Sequence, residues 1–214
     1  MKKLILALLF GAMGMGYGDW YPLGDGQFSL ENEMLSLKSR GGFFLIERNL
    51  EKEEYLLKLK VKIEEGNKAL IFLANGGYRV SLGEKLLIEK LREDSLRGYR
   101  GSFTTLEEIP ISILDSNWHN VKIIKHQMGI GISLDDYRVS VEDTRWGGSS
   151  IALAVDSKGK ALFDNIEIVY KAKKKGIGVL HSPEGKDKLT HEFITYRATG
   201  NYPISETYWE SHSL

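Results

Sequence analysis

The side chains able to do chemistry in this chain are carboxylates, aromatic rings and lysines set on alternating segments. Cleaving a glycosidic bond takes two carboxyl groups facing the sugar, about 5–5.5 Å apart for retention and about 6.5–9.5 Å for inversion. On a strand, positions i and i+2 share a face about 6.6 Å apart. Glu31-Asn32-Glu33 is the pair so spaced just before a strand, and it equally describes two solvated acids at a strand edge. Sugar recognition instead uses ring faces, which stack on the apolar patches of pyranoses, with a few polar groups beside them. Trp146, within Asp143-Thr144-Arg145-Trp146-Gly147-Gly148, and Tyr99, between Gly98 and Arg100, sit on glycine-flanked loops. Loop aromatics on a rigid scaffold are candidate contacts; Trp146 fits equally well as a plug at an open end of the core. Lys58, Lys60 and Lys62 form a row, and the alternation places Arg79 and Lys122 outward on neighbouring strands. Such a stripe would favour uronic or sulfated sugars, or simply be a solvated face that discourages edge pairing. The candidate carbohydrate-binding residues are therefore Trp146, Tyr99, Arg79 and Lys60.

Other chemistries find no footing. His181 and His191-Glu192 lack the tight spacing of metal ligands, and His119 and His126 flank an apolar run as structural or surface residues. No His-Glu-x-x-His, phosphate loop or nucleophile elbow occurs. With 29 basic and 29 acidic side chains, the chain offers no overall charge to recruit nucleic acid or an anionic membrane.

The positioning elements are strands. Tyr55, Leu57, Leu59, Val61 and Ile63 alternate with Lys58, Lys60, Lys62 and Glu64, the pattern of a half-buried strand. Similar alternation recurs at Tyr78–Leu82, Ile130–Leu134, Tyr137–Val141, Ile151–Val155 and Ile166–Tyr170. Turn signals separate the runs at Glu65-Gly66-Asn67, Asn75-Gly76-Gly77, Asp135-Asp136 and Ser157-Lys158-Gly159. Strands at this spacing predict an all-β, antiparallel β-sandwich. The segment from Glu84 to Glu93 is the one helix candidate. Its strand reading, with Leu86 and Ile88 inward, is preferred because Gly83 and the Ser95–Gly98 loop bound it. At the N-terminus, Lys2 and Lys3, the apolar run Leu4–Phe10 and Gly16-Tyr17-Gly18 have the layout of a secretory signal peptide cut before Asp19. That run is too short to span a bilayer, so the expected protein is secreted or periplasmic with no lasting membrane span. It has no cysteine, and its stability must come from packing. The sandwich is expected over residues 19–170, followed by a basic linker and tail over 171–214 that is either an added strand or mobile.

The ordered motifs from Gly76 to Tyr170 resemble the concanavalin A-like lectin/glucanase superfamily, and within it the laminin-G-like jelly rolls related to the 3-keto-disaccharide hydrolase domain. They are Gly77-Tyr78-Arg79-Val80-Ser81-Leu82, Lys85-Leu86-Leu87-Ile88-Glu89-Lys90, Asn117-Trp118-His119-Asn120-Val121-Lys122-Ile123, the hairpin Ile132–Val139, and Asp143, Gly148, Ile151-Ala152-Leu153 and Phe163-Asp164-Asn165-Ile166. The resemblance implies a jelly roll that binds an extracellular or envelope glycan, with Trp118 in the core. It implies no cofactor, except that Asp164 would help hold a structural calcium, aided by backbone carbonyls near Asp19–Gly26. Asp164 reads equally as half of an Asp-Asn pair that ends a hydrogen-bond ladder. The Glu-x-Asp-x-x-Glu strand of the glucan-cleaving members is absent. A 3-keto-glycoside hydrolase, with catalytic residues unassigned, and a non-catalytic envelope adhesion module are the alternatives.

Overall fold

The computed structural model describes residues 20–93 and 99–170. The expected leader over 1–18, the expected Ser95–Gly98 loop and the expected tail over 171–214 lie outside the described residues. Those described form twelve strands: β1 (Trp20–Glu31), β2 (Met34–Asn49), β3 (Tyr55–Glu65), β4 (Ala69–Leu73), β5 (Tyr78–Leu82), β6 (Leu86–Leu91), β7 (Phe103–Ile109), β8 (His119–His126), β9 (Gly129–Leu134), β10 (Tyr137–Glu142), β11 (Ser150–Val155) and β12 (Lys160–Tyr170). Among the described residues there is no helix, and so none long and apolar enough to cross a membrane.

All neighbouring strands are antiparallel, and their order is β10-β9-β8-β3-β12-β2-β11-β4-β5-β6-β7, with β1 alongside β2. The long β2 belongs to both layers. Its first part, Leu35–Lys38, pairs with β12, and its second part, Phe44–Asn49, pairs with β11. Layer one is thus β10-β9-β8-β3-β12 with the start of β2; layer two is the rest of β2 with β11-β4-β5-β6-β7. β1 follows β2 round the corner, where its register jumps from Gly24↔Phe44 to Gly26↔Ser39. Only glycine fits at Gly24: its φ is +102°, and an added Cβ would sit 2.3 Å from the Phe43 carbonyl oxygen.

The two layers bury their apolar faces on each other. Leu57, Leu59, Val61, Val121, Ile123, Ile132 and Phe163 from layer one meet Ile46, Ile71, Val80, Ile88 and Leu153 from layer two. Every alternating run named above becomes a strand or part of one, and Glu84–Glu93 becomes β6 with Leu86 and Ile88 inward, as expected. β4 escapes period-two reading because Ala69–Leu73 is buried on both faces. Trp118 is a correction. It is 39% exposed, since it precedes β8 in the connector rather than pointing into the sandwich.

Candidate functional site

The outer face of layer two carries two rows of side chains set by strand register. One row runs Tyr21, Glu47, Ala152, Phe72, Arg79, Glu89 and Thr105; the other runs Leu23, Leu45, Ala154, Leu70, Ser81, Leu87 and Glu108. An exposed sheet face would normally be polar, yet Leu45, Leu70, Phe72, Ala152 and Ala154 are buried. Phe43, Tyr99 and Phe103 cover them. Their rings stand 5.1–5.9 Å from the Phe72 centroid, Phe43 and Tyr99 edge-on. The Tyr99 hydroxyl donates to Glu47 and lies 3.3 Å from Ser150 Oγ. Burial and the Glu47 hydrogen bond push its pKa up.

Beside this aromatic cover, Arg79 grips Glu89 through Nε–Oε2 at 2.7 Å and Nη2–Oε1 at 2.8 Å. Ser81 Oγ donates to the same Oε2 at 2.7 Å, and the guanidinium stacks 4.2 Å from the Phe103 centroid. Burial would raise the Glu89 pKa, but Arg79 and Ser81 outweigh it and hold the carboxyl below its usual range. The fork uses two of the five Arg79 N–H donors.

Past Ser81 the face sinks into a depression of about 370 Å³, within the size range of ligand pockets. Ser81 and Leu87 belong to its sheet face. Its rim is three turns: Asn67-Lys68 after β3, Gly83-Glu84-Lys85 after β5 and Asp156-Ser157 after β11. Lys68 Nζ lies 3.3 Å from Asp156 Oδ2, and Lys85 pairs with Glu108. Burial raises Asp156, but hydrogen bonds from Ser157 and Lys68 outweigh it and leave the carboxyl low.

The structure brings Arg79 and Tyr99 together on this face and places the other expected residues elsewhere. Lys60 is on the outer face of layer one, opposite Asp164 and Asn120. The expected stripe loses Arg79 because β5 lies in the other layer; Lys122 does join it, in register with Lys58. Trp146 is half-buried at one end of the sandwich. Its Nε1 donates to the Leu91 carbonyl and its backbone N–H to the Tyr78 hydroxyl, both at 3.1 Å. That hydroxyl donates in turn to Asp143 Oδ1 at 2.6 Å, and Lys90 holds Oδ2 at 2.9 Å. Glu31 and Glu33 share no strand face: Asn32 and Glu33 have φ of +51° and +68° and form the β1–β2 turn.

Asp164 sits at a bulge of β12, where its Oδ1 accepts the Asn165 N–H at 2.9 Å. Calcium takes six to eight oxygen ligands, carboxylates prominent among them. Lys60 faces Asp164 across the ladder, and Trp20–Gly24 pair in the other layer. Among the described residues no group of three or more acids or histidines is placed to hold a metal ion. The residues of the depression escaped sequence reading. Their turn signals at 65–67 and 157–159 were visible, but the convergence of the turns on one spot depends on strand order.

No family model matches this chain, and no curated protein does. Solved structures do. The carbohydrate binding module CBM66 from Bacillus subtilis superposes with a TM-score of 0.57 at 15% identity, over 70% of this chain and 94% of its own. A Bacillus subtilis protein of galectin-like fold gives 0.53 at 14% identity, over 70% and 88%. The exoplasmic/lumenal domain of VIP36, solved with Ca2+ and Man3GlcNAc bound, gives 0.50 at 10% identity, over 69% and 86%. By strand order and by these superpositions, the chain has an antiparallel β-sandwich of the concanavalin A-like jelly-roll fold.

Proposed function

We propose that this chain is an exported glycan-binding sandwich, and that the depression on the outer face of layer two takes a neutral sugar. The observation that carries the reading is the hollow of about 370 Å³ itself, which joins the Leu87 side chain to two lysines that already have carboxylate partners and to the Glu84 carboxylate. Lys68 is matched by Asp156 and Lys85 by Glu108. An anionic sugar would have to draw a lysine away from its carboxylate. A neutral ring with adjacent hydroxyls can donate to Asp156 and accept from Lys68 while the pair stays together. Sandwiches of this shape include one described as a carbohydrate binding module and one solved with Man3GlcNAc, which supports a sugar ligand by analogy of fold. Binding is better supported here than hydrolysis. A catalytic acid is a carboxyl held above its usual pKa, whereas Glu89 and Asp156 are both held below it.

A glycan array carrying neutral, uronate and sulfated oligosaccharides tests the reading. The expected outcome is binding to neutral glycans that falls about tenfold in Lys68→Ala, the loss of roughly one hydrogen bond's worth of free energy, and is unchanged in Lys60→Ala. Binding confined to acidic glycans, or none across the array, overturns it.

A further inference from the structure

His119 opens β8 with its side chain 12% exposed, and each of its ring nitrogens meets a carboxylate. Nε2 lies 2.8 Å from Asp115 Oδ1, and Nδ1 lies 2.7 Å from Asp135 Oδ2. Asp115 belongs to the connector over 110–118, between β7 and β8; Asp135 belongs to the β9–β10 turn. A neutral imidazole carries one N–H and an ionised carboxylate carries none. Both contacts are hydrogen bonds at once only when the ring is an imidazolium. Each carboxylate is fixed in place independently. Asp115 accepts the Asn117 backbone N–H and side-chain amide, each at 2.9 Å, and Asp135 accepts the Asn120 N–H at 2.8 Å. Removing the ring proton therefore turns a nitrogen lone pair toward an anion.

The same connector reaches the depression. Ile113, two residues before Asp115, is buried in the core, and its N–H donates to the Gly83 carbonyl at 2.9 Å. Gly83 lies on the rim of the depression. We infer that His119 is a proton-operated latch: its imidazolium ties the 110–118 connector to the β9–β10 turn, and loss of the proton loosens the connector's hold on the Gly83 rim. Asp115 and Asp135 are the titratable groups that meet the ring. Val61, opposite it on β3, is uncharged; Lys60 beside Val61 points to the outer face, and Asp136 follows Asp135 in the turn.

Burial pulls the imidazole down, but Asp135 and Asp115 outweigh it and hold its pKa above the ordinary 6.5. Hydrogen bonds from Asn117 and His119 hold Asp115 well below the ordinary 3.8. The signs follow by linkage. The raised histidine contributes stability that is complete below about pH 6.5 and is lost as pH rises through its folded pKa. The depressed aspartate contributes stability that is complete above about pH 4 and is lost as pH falls.

The latch would regulate the depression proposed above, but its test needs no glycan. In nitrogen-15 NMR of the whole protein, the His119 ring should titrate above pH 6.5, and Asp115→Asn should lower the midpoint by about one unit. Exchange of the Ile113 amide, corrected for base catalysis, should quicken as pH passes that midpoint, and this step should vanish in His119→Gln. A midpoint at or below 6.5, a midpoint unmoved by Asp115→Asn, or Ile113 exchange without a step would overturn the latch.

Discussion

Arg79 is held by Glu89 in a two-point fork and by Phe103 beneath its plane, and Phe72 is its register partner on β4. Glu89 has a side chain only 9% exposed, so it stays comfortably charged only while the guanidinium is there. Taking away one partner of such a pair strands the other, which costs far more than the pair contributes in net terms. Arg79→Ala should destabilise the protein by about 3 kcal/mol in urea unfolding. Arg79→Lys should recover only part of that, because an ammonium cannot reproduce the planar fork. Loss below about 1 kcal/mol in Arg79→Ala would mean that Ser81 alone satisfies Glu89. The sequence could single out Arg79 as an outward cation and Tyr99 as a loop aromatic. It could not reveal that both are already engaged, since Glu89 and Glu47 are ten and fifty-two positions away and meet them only through register and loop return.

At the scale of elements, period-two patterning located β3, β5, β9, β10, β11 and the end of β12. It passed over Ala69–Leu73, where Phe43, Tyr99 and Phe103 make an apolar roof over what would otherwise be a wet face. It also missed that β1 and β2 turn a corner together, because the placing of four β2 residues, Arg40–Phe43, opposite the single Asp25 is a property of the pairing and not of either strand. That corner is what lets one pair of strands serve both layers. It rests on the left-handed Gly24 and on the Ser39 hydroxyl donating to the Gly42 carbonyl. Gly24→Ala should therefore cost about 1–3 kcal/mol by thermal or urea unfolding, through strain in a φ that alanine avoids and through the close Phe43 carbonyl. Stability within a few tenths of a kcal/mol of the parent would show that the corner can relax around a side chain.

For the whole molecule, the two outer faces divide the charge. Layer one presents Lys58, Lys60, Lys62 and Lys122, with Glu167 3.5 Å from Lys58. Layer two presents its lysines in matched pairs round a hollow. A jelly roll can bind on either face or at its ends, so fold class, which was legible from alternation and turn chemistry, leaves the site open. The sequence offered Lys60 and Trp146 among its candidates, beside Tyr99 and Arg79. The folded chain puts Lys60 on the far layer and uses Trp146 to close an end over Tyr78 and Leu91. The central claim is that a neutral sugar is held at the depression of layer two. Its most direct test is amide chemical-shift mapping of the protein titrated with a neutral oligosaccharide selected on the array. The account predicts shifts concentrated at Asn67–Lys68, Ser81–Leu87 and Asp156–Ser157. Shifts concentrated instead on Lys58–Lys62 and Lys122, or around Trp146, would contradict it.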